Sequence, residues 1–143
     1  VTYASIDDLK ATIPARDLAL LTDFDGAGDT VDDDRLAAAL RDGAAEINGY
    51  IAKVVTLPLV APPDMLRVVC RDLAIHRLYA NAGRVTETQE KLRDASVSYL
   101  RMVRDGKVSI GDEDGGAEIQ TSEGVATVEG PERVMTRDSL RNF

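Results

Sequence analysis

The densest run of ligand-type side chains is Asp23-Phe24-Asp25-Gly26-Ala27-Gly28-Asp29-Thr30-Val31-Asp32-Asp33-Asp34. Calcium needs several hard oxygen ligands wrapped around a tight turn, and Asp-x-Asp followed by glycine supplies a start. In an EF-hand register Asp23, Asp25 and Asp29 are the candidate metal ligands, with Gly28 at the glycine position. Ala27, however, stands where a ligand is wanted, and Asp34 is shorter than the usual bidentate glutamate. Val31 falls one place late. The same residues also describe a glycine-rich loop feeding an acid-capped helix, so a calcium-binding interaction module is carried as the alternative reading.

Other reactive side chains are sparse. His76 is the sole histidine and lies in a largely apolar stretch. A general base needs a nucleophile or carboxylate within hydrogen-bond reach, and zinc needs further His or Cys ligands. Cys70 stands four residues from Leu66 and three from Leu73, on an apolar row. A catalytic thiolate instead wants a partly exposed, electropositive site, to which only the adjacent Arg71 contributes. There is no phosphate-cradling glycine loop, no G-x-S-x-G and no H-E-x-x-H. The chain reads as a non-enzyme with no cofactor, acting by contact. Arg67, Arg71, Arg77 and Arg84 space out along one helix, either snorkelling to water or meeting acids on a neighbour. At the end of the chain, Val134, Met135, Leu140 and Phe143 alternate with Arg133, Arg137 and Arg141. Apolar anchors interleaved with arginine are the style of a short docking peptide.

Four helical segments are expected to carry these residues. Ser5 followed by Asp8 reads as an N-cap opening a short helix to about Ile13. Pro14 then breaks or restarts it, with a further turn or two over Arg16–Leu21. Thr30 is the expected cap of the second segment, with Asp32, Asp33 and Asp34 at its positive end. Its apolar stripe is Leu36, Leu40, Ala44, Ile47, Ile51 and Val54. Gly43 and Gly49 weaken it by about 1 kcal/mol each relative to alanine and admit a close neighbour. Leu57-Pro58-Leu59 and Ala61-Pro62-Pro63 make a stiff connector. Asp64 is expected to cap a third segment that runs to about Ala82 and stops at Gly83. Apolar around most of its circumference, it belongs at the centre. Thr86 caps the fourth, whose expected core stripe is Leu92, Ala95, Tyr99, Met102 and Val103, and Gly106 ends it.

The fold class is therefore mainly α: a small four-helix-bundle-like body over residues 1–106 with an extended C-terminal arm over residues 107–143. Gly111–Gly116 is an acidic linker, and the short alternations between Ala117 and Val128 permit a strand or hairpin. The arm carries eight acids against four bases and too little apolar surface for a core of its own. The 44% hydrophobic fraction is enough for one core, an aliphatic one because aromatics are only 4%. No run approaches ~18 apolar residues, so no membrane span is expected, and the opening residues lack secretory-signal features. A single cysteine fits a reducing compartment. The formal charge of −8 disfavours general nucleic-acid binding, which is driven by clustered Lys and Arg. Besides the calcium module, two rivals stand: a small enzyme using His76 and Cys70, and a regulator with an acidic, DNA-mimicking tail.

Several moderate motifs occur in a telling order. Tyr3-Ala4-Ser5 leads into Asp7-Asp8-Leu9, and Leu20-Leu21-Thr22-Asp23 precedes the Gly/Asp loop. Ala44-Ala45-Glu46-Ile47-Asn48-Gly49-Tyr50-Ile51, the turn Leu57-Pro58-Leu59 and Leu73-Ala74-Ile75-His76-Arg77-Leu78-Tyr79 follow, before the closing Arg133-Val134 and Arg137-Asp138-Ser139-Leu140. Taken together the chain resembles the Mu-like head–tail adaptor (connector) proteins of tailed phages and prophages. The resemblance implies a virion subunit, made in the bacterial host cytoplasm, that forms a ring of twelve copies beneath the portal. One side of the ring would grip the portal and the other would receive the next neck, stopper or tail protein. DNA would slide through an acidic lumen without specific binding. Arg67 and Arg71 are expected against the acidic cap of a neighbour's second helical segment. Arg133, Val134, Met135, Arg137, Leu140 and Phe143 are expected to dock on a partner.

Overall fold

The structure, a computed structural model, describes residues 2–24 and 26–110. The linker, the expected strand or hairpin and the Val134–Phe143 anchor lie outside the described residues. Within them the protein is helical, with five helices: α1 (Ile6–Thr12), α2 (Ala15–Thr22), α3 (Asp33–Ile51), α4 (Asp64–Asn81) and α5 (Glu87–Arg104).

The first expected segment is thus two helices. Pro14 is the N-cap of α2, and its carbonyl accepts from the Asp17 and Leu18 amides. α1 opens on a capping box: the Asp8 amide donates to Ser5 Oγ at 3.2 Å, and the Ser5 amide donates to Asp8 Oδ2 at 2.8 Å. The Ser5 amide and the Ser5 hydroxyl, which also donates to Asp8 Oδ2 at 3.0 Å, hold the Asp8 carboxyl below its ordinary range, helped by the Arg67 guanidinium. A lowered folded-state pKa stabilises the fold above the ordinary carboxylate pKa, and that contribution disappears as pH falls through the folded value. Ser5→Ala should cost about 1 kcal/mol and shrink this acid dependence, as read from thermal unfolding at pH 7 and pH 3.

Two other caps differ from expectation. Asp32, not Thr30, caps α3, its carboxylate accepting from the Asp34 and Arg35 amides. It wins because its backbone is already anchored, its amide donating to the buried Thr22 hydroxyl at 3.0 Å. Asp64 is the first residue of α4 rather than its cap, a place taken by Pro63 without a side-chain bond. α4 and α5 both end on paired i→i−5 and i→i−3 amide bonds. Arg84 donates to Tyr79 and Gly83 to Ala80, while Lys107 donates to Met102 and Gly106 to Val103. Gly83 and Gly106 have φ of +67° and +76°, the left-handed conformation these endings require.

α3 and α4 touch at Gly43, where an added Cβ would lie 3.2 Å from the Cys70 carbonyl oxygen. Gly49 has open space around it and serves no such contact. α4 is central, as its sequence implied: α1 packs on α3 and α4, α2 packs on α4, and α5 packs on both α3 and α4. The core is aliphatic, built on Leu9, Leu18, Leu36, Leu40, Ile47, Ile51, Leu66 and Leu100 among others. Val54 lies beyond the end of α3 and is exposed, so it leaves the expected stripe. The connector holds a cis Leu57–Pro58 bond, with Leu57 and Leu59 against the core and Val60 in solvent. After Gly106 the chain returns to the core through Val108 and Ile110.

α5 is rotated relative to most of its expected stripe, of which Val103 alone is buried. Ser96, Val97, Leu100 and Val103 face inward, while Leu92, Ala95 and Met102 are exposed and Tyr99 is half-buried. Both sets obey helical spacing, since the apolar arc of α5 is wider than the area α3 and α4 cover.

Candidate interaction surfaces

The Asp-rich loop is held by its own side chains. The Thr22 hydroxyl donates to the Leu18 carbonyl at 2.7 Å while accepting from Asp32, which pins the two ends of the loop together. Asp23 Oδ2 accepts from the Gly28 amide at 3.2 Å, and Gly28 takes a φ of +78°. Two of the loop's carboxylates, those of Asp23 and Asp32, are thus committed to backbone amides. Among the described residues no three His, Cys, Asp or Glu side chains gather as metal ligands. Asp29 is exposed, and Asp25 lies outside the described residues. Thr22 was the unrecognised organiser of this loop. Its signal was a hydroxyl at the last turn of a helix, where it can bond back one turn.

Cys70 is fully buried against α3, its thiol 3.6 Å from the Leu40 carbonyl. Burial raises its pKa, so the thiolate a nucleophile needs is scarce at neutral pH. His76 is half-buried beside a charged cluster that joins three helices. Glu46 of α3 accepts from Arg77 of α4 at 3.2 Å and from Arg93 of α5 at 3.0 Å. Arg77 also reaches Asp42 at 3.8 Å. The Glu46 side chain retains only 19% exposure, while both guanidinium groups remain partly in water. This arrangement is a mechanical tie between helices, with no nucleophile in it.

Burial, and then the nearby Arg93 charge, lower the His76 pKa, while Glu90 and Glu46 oppose the shift. A lowered histidine pKa means that stability is gained as pH rises past the unfolded value and lost as pH falls through the folded one. Glu46→Gln leaves two guanidinium groups without their shared anion and removes one of the charges that support protonated His76. It should cost about 1 kcal/mol, given the exposure of both arginines, and lower the His76 pKa further. The single imidazole signal in an NMR titration reads the second effect directly.

The expected partner-binding arginines of α4 are engaged within the chain. Arg67 meets Asp8 at 3.2 Å and Asp64 at 3.7 Å, and Arg71 meets Asp72 at 2.8 Å. Arg133, Val134, Met135, Arg137, Leu140 and Phe143 lie outside the described residues. Among the described residues, two apolar surfaces stand out. One is the outer stripe of α5, where Leu92 is 42% and Met102 40% exposed. The other is a cleft of about 210 Å³ lined by Leu21, Phe24, Arg35, Ala38, Ala39, Asp42, Leu78 and Asn81. Arg35 stacks over the Phe24 ring at 4.3 Å at the mouth of this cleft. No described helix is long and apolar enough to cross a membrane.

This whole body has a counterpart among phage proteins. Residues 3–129 match the family model described as Bacteriophage Mu, Gp36. The chain is also 31% identical over 137 residues to "Gene product J" of Escherichia phage Mu, with 96% of each chain covered. The matched span runs from Tyr3 through all five helices. The chain therefore belongs to the bacteriophage Mu Gp36 family of phage proteins.

Proposed function

We propose that this protein is a head–tail connector subunit that works through contact rather than catalysis. Twelve copies form a ring beneath the portal of a filled capsid and join it to the neck or tail. The observation that carries this reading is the near-full-length relationship to a phage Mu protein in a chain whose motifs resemble the adaptors. The body supports it. A small α-helical unit with its reactive side chains buried or spent on internal ties suits a building block. Its acidic balance suits a lumen through which DNA passes without sticking. Arg133, Val134, Met135, Arg137, Leu140 and Phe143 are the residues of the arm proposed to grip a partner.

Electron microscopy of the purified full chain, alone and mixed with the portal protein of the same phage, tests the proposal. Rings, or a ring stacked on the portal, are expected. A chain that stays monomeric and leaves the portal unaltered overturns it. Deleting residues 133–143 should reduce capture by the portal without changing the circular dichroism of the body.

A further inference from the structure

We infer that the outer stripe of α5 in one copy seats in the α2–α3–α4 cleft of the next, making a head-to-tail contact between identical subunits. This rests on the ring reading and names the two faces that would close it.

The stripe is an apolar line of four residues at helical spacing, Leu92, Ala95, Tyr99 and Met102; among the described residues Leu92, Ala95 and Met102 are left exposed and Tyr99 is half-buried against the core. Helical amphipathicity normally matches what a helix buries, so a second apolar line on the same helix implies a second partner. The cleft offers a matching recess, with an apolar floor of Leu21, Ala38 and Leu78. Leu20 and Phe24 beside it are 39% and 47% exposed. A flexible methionine is well suited to fill such an irregular gap.

Charge selects the pairing. Residues 98–110, around the end of the stripe, hold three bases against one acid. Arg101 and Lys107 form no ion pair among the described residues, and Arg104 reaches only the adjacent Asp105. Residues 17–42, around the cleft, hold eight acids against two bases. Asp29 and Asp34 are exposed there. Stripe against stripe would bring like charges together, and cleft against cleft would do the same. Stripe against cleft brings opposite charges together, favouring encounter and register. The stripe and the cleft are two different patches, so a single stripe-to-cleft contact is heterologous and leaves one stripe and one cleft free to add further copies into a ring or filament.

Full-length Phe24→Cys/Met102→Cys, oxidised and run without reductant, should give a ladder of trimers and larger species; Cys70 is buried and stays out of the reaction. Dimers from Met102→Cys alone would mean that α5 meets α5, and would overturn the inference. Arg101→Glu/Arg104→Glu should weaken self-association at least 10-fold in sedimentation, and adding Asp29→Lys/Asp34→Lys should restore it. Rings seen by microscopy that neither cross-link nor respond to these charges overturn this contact and leave the ring reading standing. No assembly at any concentration, with or without the portal protein, overturns both.

Discussion

Gly43→Leu should lower the unfolding free energy by about 3 kcal/mol or more, beyond the usual cost of overpacking a core. Any side chain at this position points at α4 backbone. A Cβ would lie 3.2 Å from the Cys70 carbonyl oxygen and 3.6 Å from the Ala74 amide nitrogen and the Leu73 Cβ. A carbonyl within a helix cannot rotate aside as a side chain can, so the two helices must move apart at this contact. That separation also opens the Cys70–Leu40 contact and pulls on the Glu46 tie. Gly43→Ala is the informative control. The helix gains about 1 kcal/mol from losing a glycine, against a clash of a few tenths of an ångström, so the net change should stay within about 1 kcal/mol. Urea unfolding with unchanged m-values would read both. A leucine variant as stable as the parent would mean that α3 and α4 do not approach this closely.

Leu100→Ala and Leu92→Ala, eight residues apart on one helix, should differ several-fold in cost. Leu100 is fully buried between α5 and the α3–α4 pair, and truncating it removes apolar contact and leaves a cavity, about 2–5 kcal/mol. Leu92 is 42% exposed, and its truncation should stay below about 1 kcal/mol in the isolated subunit. Calorimetry of the two variants at low protein concentration gives the comparison. A larger cost for Leu92→Ala than for Leu100→Ala would mean that α5 sits in the rotation its sequence pattern first suggests. Under assembling conditions the order should reverse in kind: Leu92→Ala, together with Met102→Ala, should weaken subunit contact while leaving the monomer intact.

The α5 comparison shows why the candidate surface was only half legible. Leu92, Ala95, Tyr99 and Met102 keep helical spacing as faithfully as Ser96, Val97, Leu100 and Val103 do. Spacing identifies an amphipathic helix, but it cannot tell apolar residues that meet the same chain from those left for another. Ser96, a polar residue inside the buried set, further masked the true inward face. The Asp-rich loop was legible in its composition but not in its geometry. That composition suits a capping loop and only partly matches a calcium loop, with Ala27 and Asp34 departing from the pattern. What separates the two is where the carboxylates point, and Asp23 and Asp32 point at the amides of Gly28, Asp34 and Arg35.

By itself the sequence determined that this chain is helical, where most of its helices begin and end, and which one is central. Caps and breakers act within a single turn. Ser5 with Asp8, Thr86, Pro14, Gly83 and Gly106 decide their neighbourhoods through local hydrogen bonds and allowed dihedral angles. Apolar residues around most of α4 require cover on every side, so its position followed as well. Only the tertiary structure decided that Gly43, and not Gly49, is the point of close approach. It also decided that Glu46 gathers arginines from two other helices, and that one face of α5 is core while the adjoining face is left open. These depend on the angle and offset at which helices meet, which no residue settles within its own turn.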